Sequence, residues 1–185
     1  ITGDARSHRN TPSCFHDRFI PGLASLVEVI KAHDCHVFGQ LNHQGALLRK
    51  GEMGMEPVGP SPWTSPKTGE PVRALSVEDI TAIQKQFAAA AARLWIAGYD
   101  GVEIHAANGY LFHQFFTGRV NKRTDAYGGP VENRMRFLLE TVGRMLDAAP
   151  DLLLMVRFSV SEFVEGGYRS EEHTSELQSR GLISY

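Results

Sequence analysis

Three residues near the middle of the chain, His105, Asn108 and Tyr110, carry side chains that suit hydrogen bonding and proton transfer to a small molecule. Imidazole and amide N–H groups can donate to the oxygen of a carbonyl or nitro group, where negative charge develops during reduction. A phenol can give a proton to a carbanion-like carbon. A histidine at a strand end, an asparagine in a turn and a tyrosine packed at a rim would explain the same residues without chemistry. The residue types alone do not decide between the two interpretations.

Glu103 precedes His105 by two residues in an apolar segment typical of a strand, so both side chains are expected on one face of that strand. A carboxylate and an imidazole on one face are also potential metal ligands. A metal-dependent barrel hydrolase is therefore an alternative enzyme class, although the main prediction is that the chain binds no metal. His113 and the pair Cys35 and His36 lack metal-ligand spacing and are expected to be packing or surface residues.

The elements that must hold these side chains alternate between helix and strand. Helices are predicted over residues 18–33, 76–98 and 131–149, and strands over residues 37–41, 101–105 and 152–158. The segments 42–75 and 106–129 contain several glycines and are predicted to be loops. The first of these is far longer than an ordinary connection, which indicates a lid or a binding loop.

This alternation is typical of βα units on a parallel sheet. Gln40, His105 and Arg157 each lie near the carboxyl end of a different predicted strand. In a (β/α)8 barrel those ends converge on one mouth, where the active sites of that fold lie. The positions therefore favour an α/β fold that is part of a (β/α)8 barrel over an open sheet.

Composition and charge restrict the class of partner. Of the 185 residues, 42% are hydrophobic and 22% are charged, which is ordinary for a globular domain. The net charge of -2 provides no basic surface for nucleic acid, and no apolar run approaches the roughly 20 residues of a membrane span. Cys14 and Cys35 predict neither a disulfide framework nor a structural zinc site. We therefore expect a cytoplasmic protein whose partner is a small-molecule substrate.

The segment from Gly98 to Phe137 contains His-x-x-Asn-Gly-Tyr-Leu, then Gln-Phe, then Asn-x-Arg-Thr-Asp-x-Tyr-Gly-Gly and Glu-Asn-Arg at fixed spacing. This pattern resembles the central signature of the Old Yellow Enzyme family of FMN-dependent oxidoreductases. The resemblance implies roughly the second to fifth strands of the barrel. It also implies that hydride passes from NAD(P)H through FMN to an activated alkene. His105 and Asn108 would then hold the substrate oxygen, and Tyr110 would protonate the α-carbon.

Further residues match the family pattern. By resemblance, Gln40 would hydrogen-bond the pyrimidine edge of FMN, and Arg157 would lie beside flavin N1 and O2. An ion pair between Arg157 and Glu103, or another carboxylate inside the barrel, is the alternative. His43 belongs to the family's Gln-Leu-x-His-x-Gly run, where a hydrogen bond that holds a loop explains it at least as well as catalysis. Other matching residues are expected to anchor loops and cap a helix: Arg123, Asp125, Glu132, Asn133 and Arg134.

The chain also departs from the family pattern. The family usually has arginine directly after the glycine of the Gln-Leu-x-His-x-Gly run, whereas Gly45 is followed by three other residues before Arg49, so no substrate contact is expected from Arg49. Residues 169–185 resemble a translated sequencing adapter and are expected to be a non-native tail on a domain fragment, residues 1–168. Unpaired sheet edges and exposed apolar faces would make such a fragment aggregate, lose FMN and be inactive. The full-length parent would be an enzyme that could form a homo-oligomer.

Overall fold

Helices and strands alternate along the computed structural model, which describes residues 12–49 and 56–169. The helices are α1 (Ile20–Lys31), α2 (Val77–Ile96), α3 (Leu111–Phe116) and α4 (Val131–Ala148). The strands are β1 (Phe38–Leu41), β2 (Val58–Gly59), β3 (Trp63–Thr64), β4 (Pro71–Ala74), β5 (Gly101–Ala106) and β6 (Leu153–Phe158). The long helices and the strands predicted from the sequence are confirmed, with small differences at their ends.

The main sheet contains three parallel strands in the order β1-β5-β6. Parallel strands need crossover connections, and the segments that contain α2 and α4 provide them. Gln40 pairs in register with Glu103, and His105 pairs with Arg157. Polar residues at the carboxyl ends of neighbouring strands therefore lie side by side, as the barrel prediction requires.

Helix α2 shows why the predicted elements form where they do. The backbone N–H of Asp79 donates to Ser76 Oγ at 3.1 Å, and the backbone N–H of Ser76 donates to Asp79 Oδ2 at 3.0 Å. This reciprocal cap satisfies N–H groups that have no partner within the helix. An alanine-rich run continues the helix, and Gly98 follows it with a φ of +89°, a conformation that favours glycine.

The helices cover one face of the main sheet. Val102 and Ile104 of β5 are completely buried among them. An aromatic cluster joins α2, α3 and α4, with the ring centroid of Phe112 at 5.1 Å from that of Phe87 and at 4.7 Å from that of Phe137. Burial of each such side chain stabilises the fold by about 1.5–3 kcal/mol. This core fixes the positions of the strand ends that carry the polar residues.

No described element covers the opposite face of the main sheet. Phe38, Leu153 and Met155 lie there and are 40%, 61% and 42% exposed. The ring of Phe38 lies over Gly101, where an added Cβ would come within 2.2 Å of a ring carbon. This face is therefore apolar toward the amino ends of its strands and polar toward their carboxyl ends.

The prediction of an irregular loop over residues 42–75 was wrong at three short strands, β2, β3 and β4. That segment contains a second sheet, in which β4 pairs in parallel with β2 and antiparallel with β3. Strands β2 and β3 have only two residues each, too few for an alternating pattern to be visible in the sequence.

The guanidinium of Arg123 donates to the carbonyl oxygens of Pro60 and Leu75 at 3.0 and 2.5 Å. Arg123 thus anchors loops, as predicted.

The predicted loop over residues 106–129 contains α3, which the sequence analysis missed. Every residue of α3 is buried, so the helix has no solvent-exposed face and no amphipathic period from which it could be predicted. Among the helices of the described residues, none is long and apolar enough to cross a membrane. Of the proposed tail over residues 169–185, only Arg169 is described, in a single bridge to Ser161, and the rest lies outside the described residues.

Candidate active site

His105 lies near the carboxyl end of β5 and is 7% exposed. Its Nδ1 is buried and has no hydrogen-bond partner among the described residues. Burial lowers the pKa of His105 and the guanidinium of Arg157 lowers it further, while Glu103 acts in the opposite direction. The imidazole is therefore neutral at pH 7 and carries one N–H donor for a ligand oxygen.

The chain turns sharply after β5 at Asn108 and Gly109, which have φ values of +56° and +80°. Asparagine and glycine tolerate this left-handed conformation better than other residues. The side chain of Asn108 is exposed on the turn, whereas the half-buried ring of Tyr110 lies 4.6 Å from the ring of His105, centroid to centroid. The structure thus brings His105 and Tyr110 into contact and presents the Asn108 amide on the turn between them.

Hydrogen bonds from two other segments hold this turn. The backbone N–H of Asn108 donates to Ser159 Oγ, in the segment after β6, at 3.0 Å. The backbone N–H of Leu111 donates to the carbonyl oxygen of His43, in the segment after β1, at 3.0 Å. The neighbours of β5 in the sheet therefore fix the turn from both sides. The sequence analysis assigned no role to Ser159, and its place two residues after Arg157 was the only signal for it.

His43 has the loop-holding role considered for it above. Its Nδ1 accepts a hydrogen bond from the backbone N–H of Gly45 at 3.0 Å, and it is 2% exposed. Burial lowers the pKa of His43 to about 3, so the ring is neutral and can act as an acceptor at any physiological pH.

Gln114, which the sequence analysis missed as a functional residue, holds the same turn from α3. It is 3% exposed, and its Nε2 donates to the carbonyl oxygens of Gly109 and Gln44 at 2.7 and 3.3 Å. Its Oε1 accepts from the backbone N–H of Ala46 at 3.1 Å. One amide thus joins the turn after β5 to the turn after β1. Gln114 is the glutamine of the Gln-Phe pair quoted above, and that pair was the available signal.

Gln40 and Arg157 both bind the carboxylate of Glu103. Gln40 Nε2 donates to Oε1 in a short hydrogen bond, while Arg157 donates from Nε to Oε1 at 2.8 Å and from Nη2 to Oε2 at 3.3 Å. The hydrogen bond from Arg157 is the main reason that the pKa of Glu103 is lowered. The ion pair that was the alternative role for Arg157 is therefore present. The side chain of Arg157 is nevertheless 54% exposed, so it remains accessible to a ligand.

Other predicted residues lie as follows. Among the described residues, no group of three or more His, Cys, Asp or Glu side chains is placed to hold a metal ion. Cys35 and His36 are exposed at the surface, and His113 is 8% exposed within the fold. The polar side chains of this site are therefore grouped into a Gln40, Glu103 and Arg157 cluster and a neighbouring His105 and Tyr110 pair.

Comparison with known proteins identifies the family to which this chain is similar. A model of the NADH:flavin oxidoreductase / NADH oxidase family matches residues 1–181. The chain is 40% identical over 158 residues to an NADH oxidase of Thermoanaerobacter brockii, which covers 84% of this chain and 24% of that protein. It is 40% identical over 151 residues to an NADPH dehydrogenase of Halalkalibacterium halodurans, which covers 82% of this chain and 43% of that protein. The chain thus spans about a quarter to under half of these relatives.

Solved structures show the same likeness. Morphinone reductase in complex with tetrahydroNAD matches with a TM-score of 0.85 and 30% identity, over 98% of this chain and 56% of that chain. The old yellow enzyme homologue from Zymomonas mobilis matches with a TM-score of 0.85 and 28% identity, over 98% of this chain and 54% of that chain. The likeness confirms that this chain folds as part of a (β/α)8 barrel.

Proposed function

The chain belongs to the NADH:flavin oxidoreductase / NADH oxidase family, and from that premise we propose that the whole protein reduces activated alkenes with FMN and NAD(P)H. The substrates would be small α,β-unsaturated carbonyl or nitro compounds. The observation that carries this proposal is the contact between the neutral imidazole of His105 and the phenol of Tyr110, with the Asn108 amide on the turn between them. A cytoplasmic location and a homo-oligomeric state remain predictions from the sequence.

Gln40 and Arg157 are the residues that would hold FMN in this part of the barrel. Both lie at the carboxyl ends of strands, on the sheet face that no described element covers, and both side chains carry N–H donors suited to the oxygens and nitrogens of a pyrimidine ring. When bound, FMN would supply hydride transfer from NAD(P)H to the β-carbon of the alkene. Arg157 would stabilise the negative charge of the reduced cofactor, and its ion pair with Glu103 would fix its orientation.

His105 and Asn108 would bind the substrate oxygen. A neutral imidazole and an amide each contribute an N–H donor, and negative charge grows on that oxygen as hydride reaches the β-carbon. Donors that are already oriented stabilise this charge without reorganisation at the moment of reaction. The anchors on the backbone of the turn, from Ser159 and Gln114, would keep the Asn108 amide in place.

Tyr110 would give the proton to the α-carbon. The phenol oxygen makes no hydrogen bond to another described residue, and the ring packs against His105. The hydroxyl is therefore available to donate to a substrate that His105 and Asn108 would hold. In this proposal, His105 and Asn108 bind the substrate oxygen, and Tyr110 delivers the proton.

A binding and reduction experiment on the whole protein tests the proposal. We expect the purified protein to show flavin absorbance, to be bleached by NAD(P)H without oxygen and to be reoxidised by an α,β-unsaturated ketone. The alternative of a metal-dependent hydrolase with Glu103 and His105 as ligands predicts bound metal and no flavin. Colourless protein with stoichiometric metal would therefore refute the proposal.

A second candidate is that the 185 residues alone form an inactive fragment. The observation that favours it is the exposure of Phe38, Leu153 and Met155 on one sheet face, because water-exposed apolar surface of this kind promotes association. We expect the 185-residue polypeptide to aggregate and to retain no FMN after gel filtration, whereas the whole protein stays yellow. Monodisperse, yellow 185-residue protein with alkene reductase activity would contradict this expectation.

A substitution at Gln114 tests whether the hydrogen bonds that hold the turn after β5 matter for alkene reduction. Replacing Gln114 with leucine keeps a side chain of similar size but removes the donor to the Gly109 carbonyl oxygen and the acceptor for the Ala46 N–H. We expect kcat for alkene reduction to fall about tenfold, since loss of a buried hydrogen bond costs about 1–3 kcal/mol, with flavin reduction by NAD(P)H unchanged. Stopped-flow measurement of each half-reaction separates the two steps.

The matched control for this test is Gln84→Leu. Gln84 is 1% exposed and donates to Glu140 in the interface between α2 and α4, away from the turn. Its replacement should lower the melting temperature without a selective effect on the alkene step. An equal loss of kcat in both variants would show that Gln114 acts only through general stability.

A further inference from the structure

A cavity of about 430 Å³ lies between the small sheet and α3. Its lining includes Trp63, Ser65 and Lys67 on one side and Arg119 and Glu162 on the other. The backbone of the turn reaches it only at Gly109, and His105, Asn108 and Tyr110 do not line it. Its volume falls in the range of about 300–1,000 Å³ found for small-molecule sites. The proposed catalytic site therefore does not account for this cavity.

Two hydrogen-bonding groups in the cavity lining lack partners. The indole Nε1 of Trp63 and the hydroxyl oxygen of Ser65 are buried without a hydrogen-bond partner among the described residues. Ser65 as a whole is completely buried. Most buried polar groups in proteins are paired, and leaving one unpaired costs about 1–3 kcal/mol. Both groups can donate, so the lining has a deficit of acceptors.

Two cationic side chains add a charge imbalance to the same lining. Lys67 and Arg119 are exposed, and neither side chain has an ion-pair or hydrogen-bond partner among the described residues. Most other arginines near the described sites are paired, as in the ion pairs of Arg123 with Asp125 and of Arg157 with Glu103. Uncompensated positive charge at a cavity raises the local concentration of anions.

Glu162 is the carboxylate in the lining, and both of its carboxylate oxygens have polar partners within the fold. Its Oε2 accepts from Thr117 Oγ1 at 2.7 Å and from the backbone N–H of Tyr168 at 3.2 Å. Its Oε1 lies 3.4 Å from His113 Nε2. His113 and Thr117 line the same cavity, and Glu162 forms no ion pair with Lys67 or Arg119. The lining as a whole therefore offers donors and positive charge to a ligand.

We propose that this cavity is a second ligand site that binds a small organic carboxylate with an apolar chain. Lys67 and Arg119 would attract and hold the carboxylate, and Trp63 Nε1 and Ser65 Oγ would supply further donors to the acceptor oxygens. Apolar side chains in the same lining would contact the chain of the ligand: Leu47, Pro66 and Val120. This proposal does not depend on the reaction proposed above, because none of the residues proposed to contact substrate or FMN lines the cavity.

Calorimetric titration of the whole protein with hexanoate tests the proposal. We expect binding that weakens about threefold in Lys67→Gln and in Arg119→Gln, and about tenfold when both are changed, as for partly exposed charge pairs that act independently. Trp63→Phe keeps most of the ring, removes the Nε1 donor and should weaken binding about tenfold. Lys85→Gln, at an exposed position on α2, is the matched control and should leave the affinity unchanged.

Two further ligands and one variant of the proposed catalytic site test whether hexanoate binds in this cavity through its charge and its chain. Hexanamide, which has the same chain without charge, should bind at least tenfold more weakly than hexanoate. Asn108→Gly should bind hexanoate as the parent protein does, because Asn108 does not line the cavity. Absence of hexanoate binding, equal affinity in the Lys67 and Arg119 variants, or loss of binding in Asn108→Gly would each overturn the proposal. Inorganic phosphate binding as tightly as hexanoate would refute the role of the apolar chain.

Discussion

Tyr110→Phe in the whole protein is expected to slow reduction of an α,β-unsaturated ketone by roughly a hundredfold to ten-thousandfold, the range that a positioned general acid contributes. The substitution keeps the ring against His105, so packing of the pair changes little. Only the hydroxyl that would protonate the α-carbon is lost. Reduction of the flavin by NAD(P)H needs no proton from this group and should proceed at nearly the parent rate.

Stopped-flow traces of the two half-reactions provide the measurement. Tyr127→Phe is a suitable control, because the Tyr127 hydroxyl donates to Glu140 at 2.9 Å on the helical side of the fold. Removing that hydroxyl should cost about 1 kcal/mol of stability and leave both half-reactions intact. An equal loss of both half-reactions in Tyr110→Phe would refute its role as the acid.

Removal of the two proposed oxygen-binding donors is expected to have the next largest effect. His105→Ala and Asn108→Gly should each lower kcat/KM for the alkene by roughly a hundredfold to a thousandfold, the loss seen when one donor to a developing oxyanion is removed. Glycine is the appropriate replacement for Asn108, because that position has a φ of +56°, which glycine adopts without strain and alanine does not. His105→Gln keeps an N–H donor and should recover part of the activity.

Substrate dependence of the steady-state rate and the separate rate of flavin reduction are the measurements here. His36→Ala is the control, because the side chain of His36 is 85% exposed and lies away from the carboxyl end of β5. Variants at His105 and Asn108 that reduce alkenes normally but lose flavin reduction would assign both residues to the NAD(P)H step instead.

The contacts of Gln40 and Arg157 show what a sequence motif cannot predict. Both residues could be found from the sequence because each ends a strand with an apolar run before it. Their common contact with Glu103 depends on the register of three strands, in which Gln40 pairs with Glu103 and His105 pairs with Arg157. A register cannot be obtained from the periodicity of one strand, since shifting a strand by two residues preserves the pattern of faces.

The length and the burial of an element explain whether it could be predicted from the sequence. The long helices α2 and α4 have an amphipathic pattern over several turns, and α2 also has its cap at Ser76. Strands β2 and β3 and the short helix α3 have either too few residues or too uniform a burial for any period to appear. The cavity between the small sheet and α3 lies among those missed elements, so no pattern in the sequence pointed to it.

His105, Asn108 and Tyr110 could be proposed as site residues from the sequence, because their types and spacing are local properties of one short segment. The tertiary structure decided what holds them. Ser159 binds the turn from the segment after β6, His43 from the segment after β1 and Gln114 from within α3. Ser159 and His43 lie more than 50 residues from the backbone groups that they bind, and such pairs meet only when the sheet order and the packing of the helices bring them together. The residues proposed to carry the chemistry are thus specified locally, whereas their positioning is a property of the whole fold.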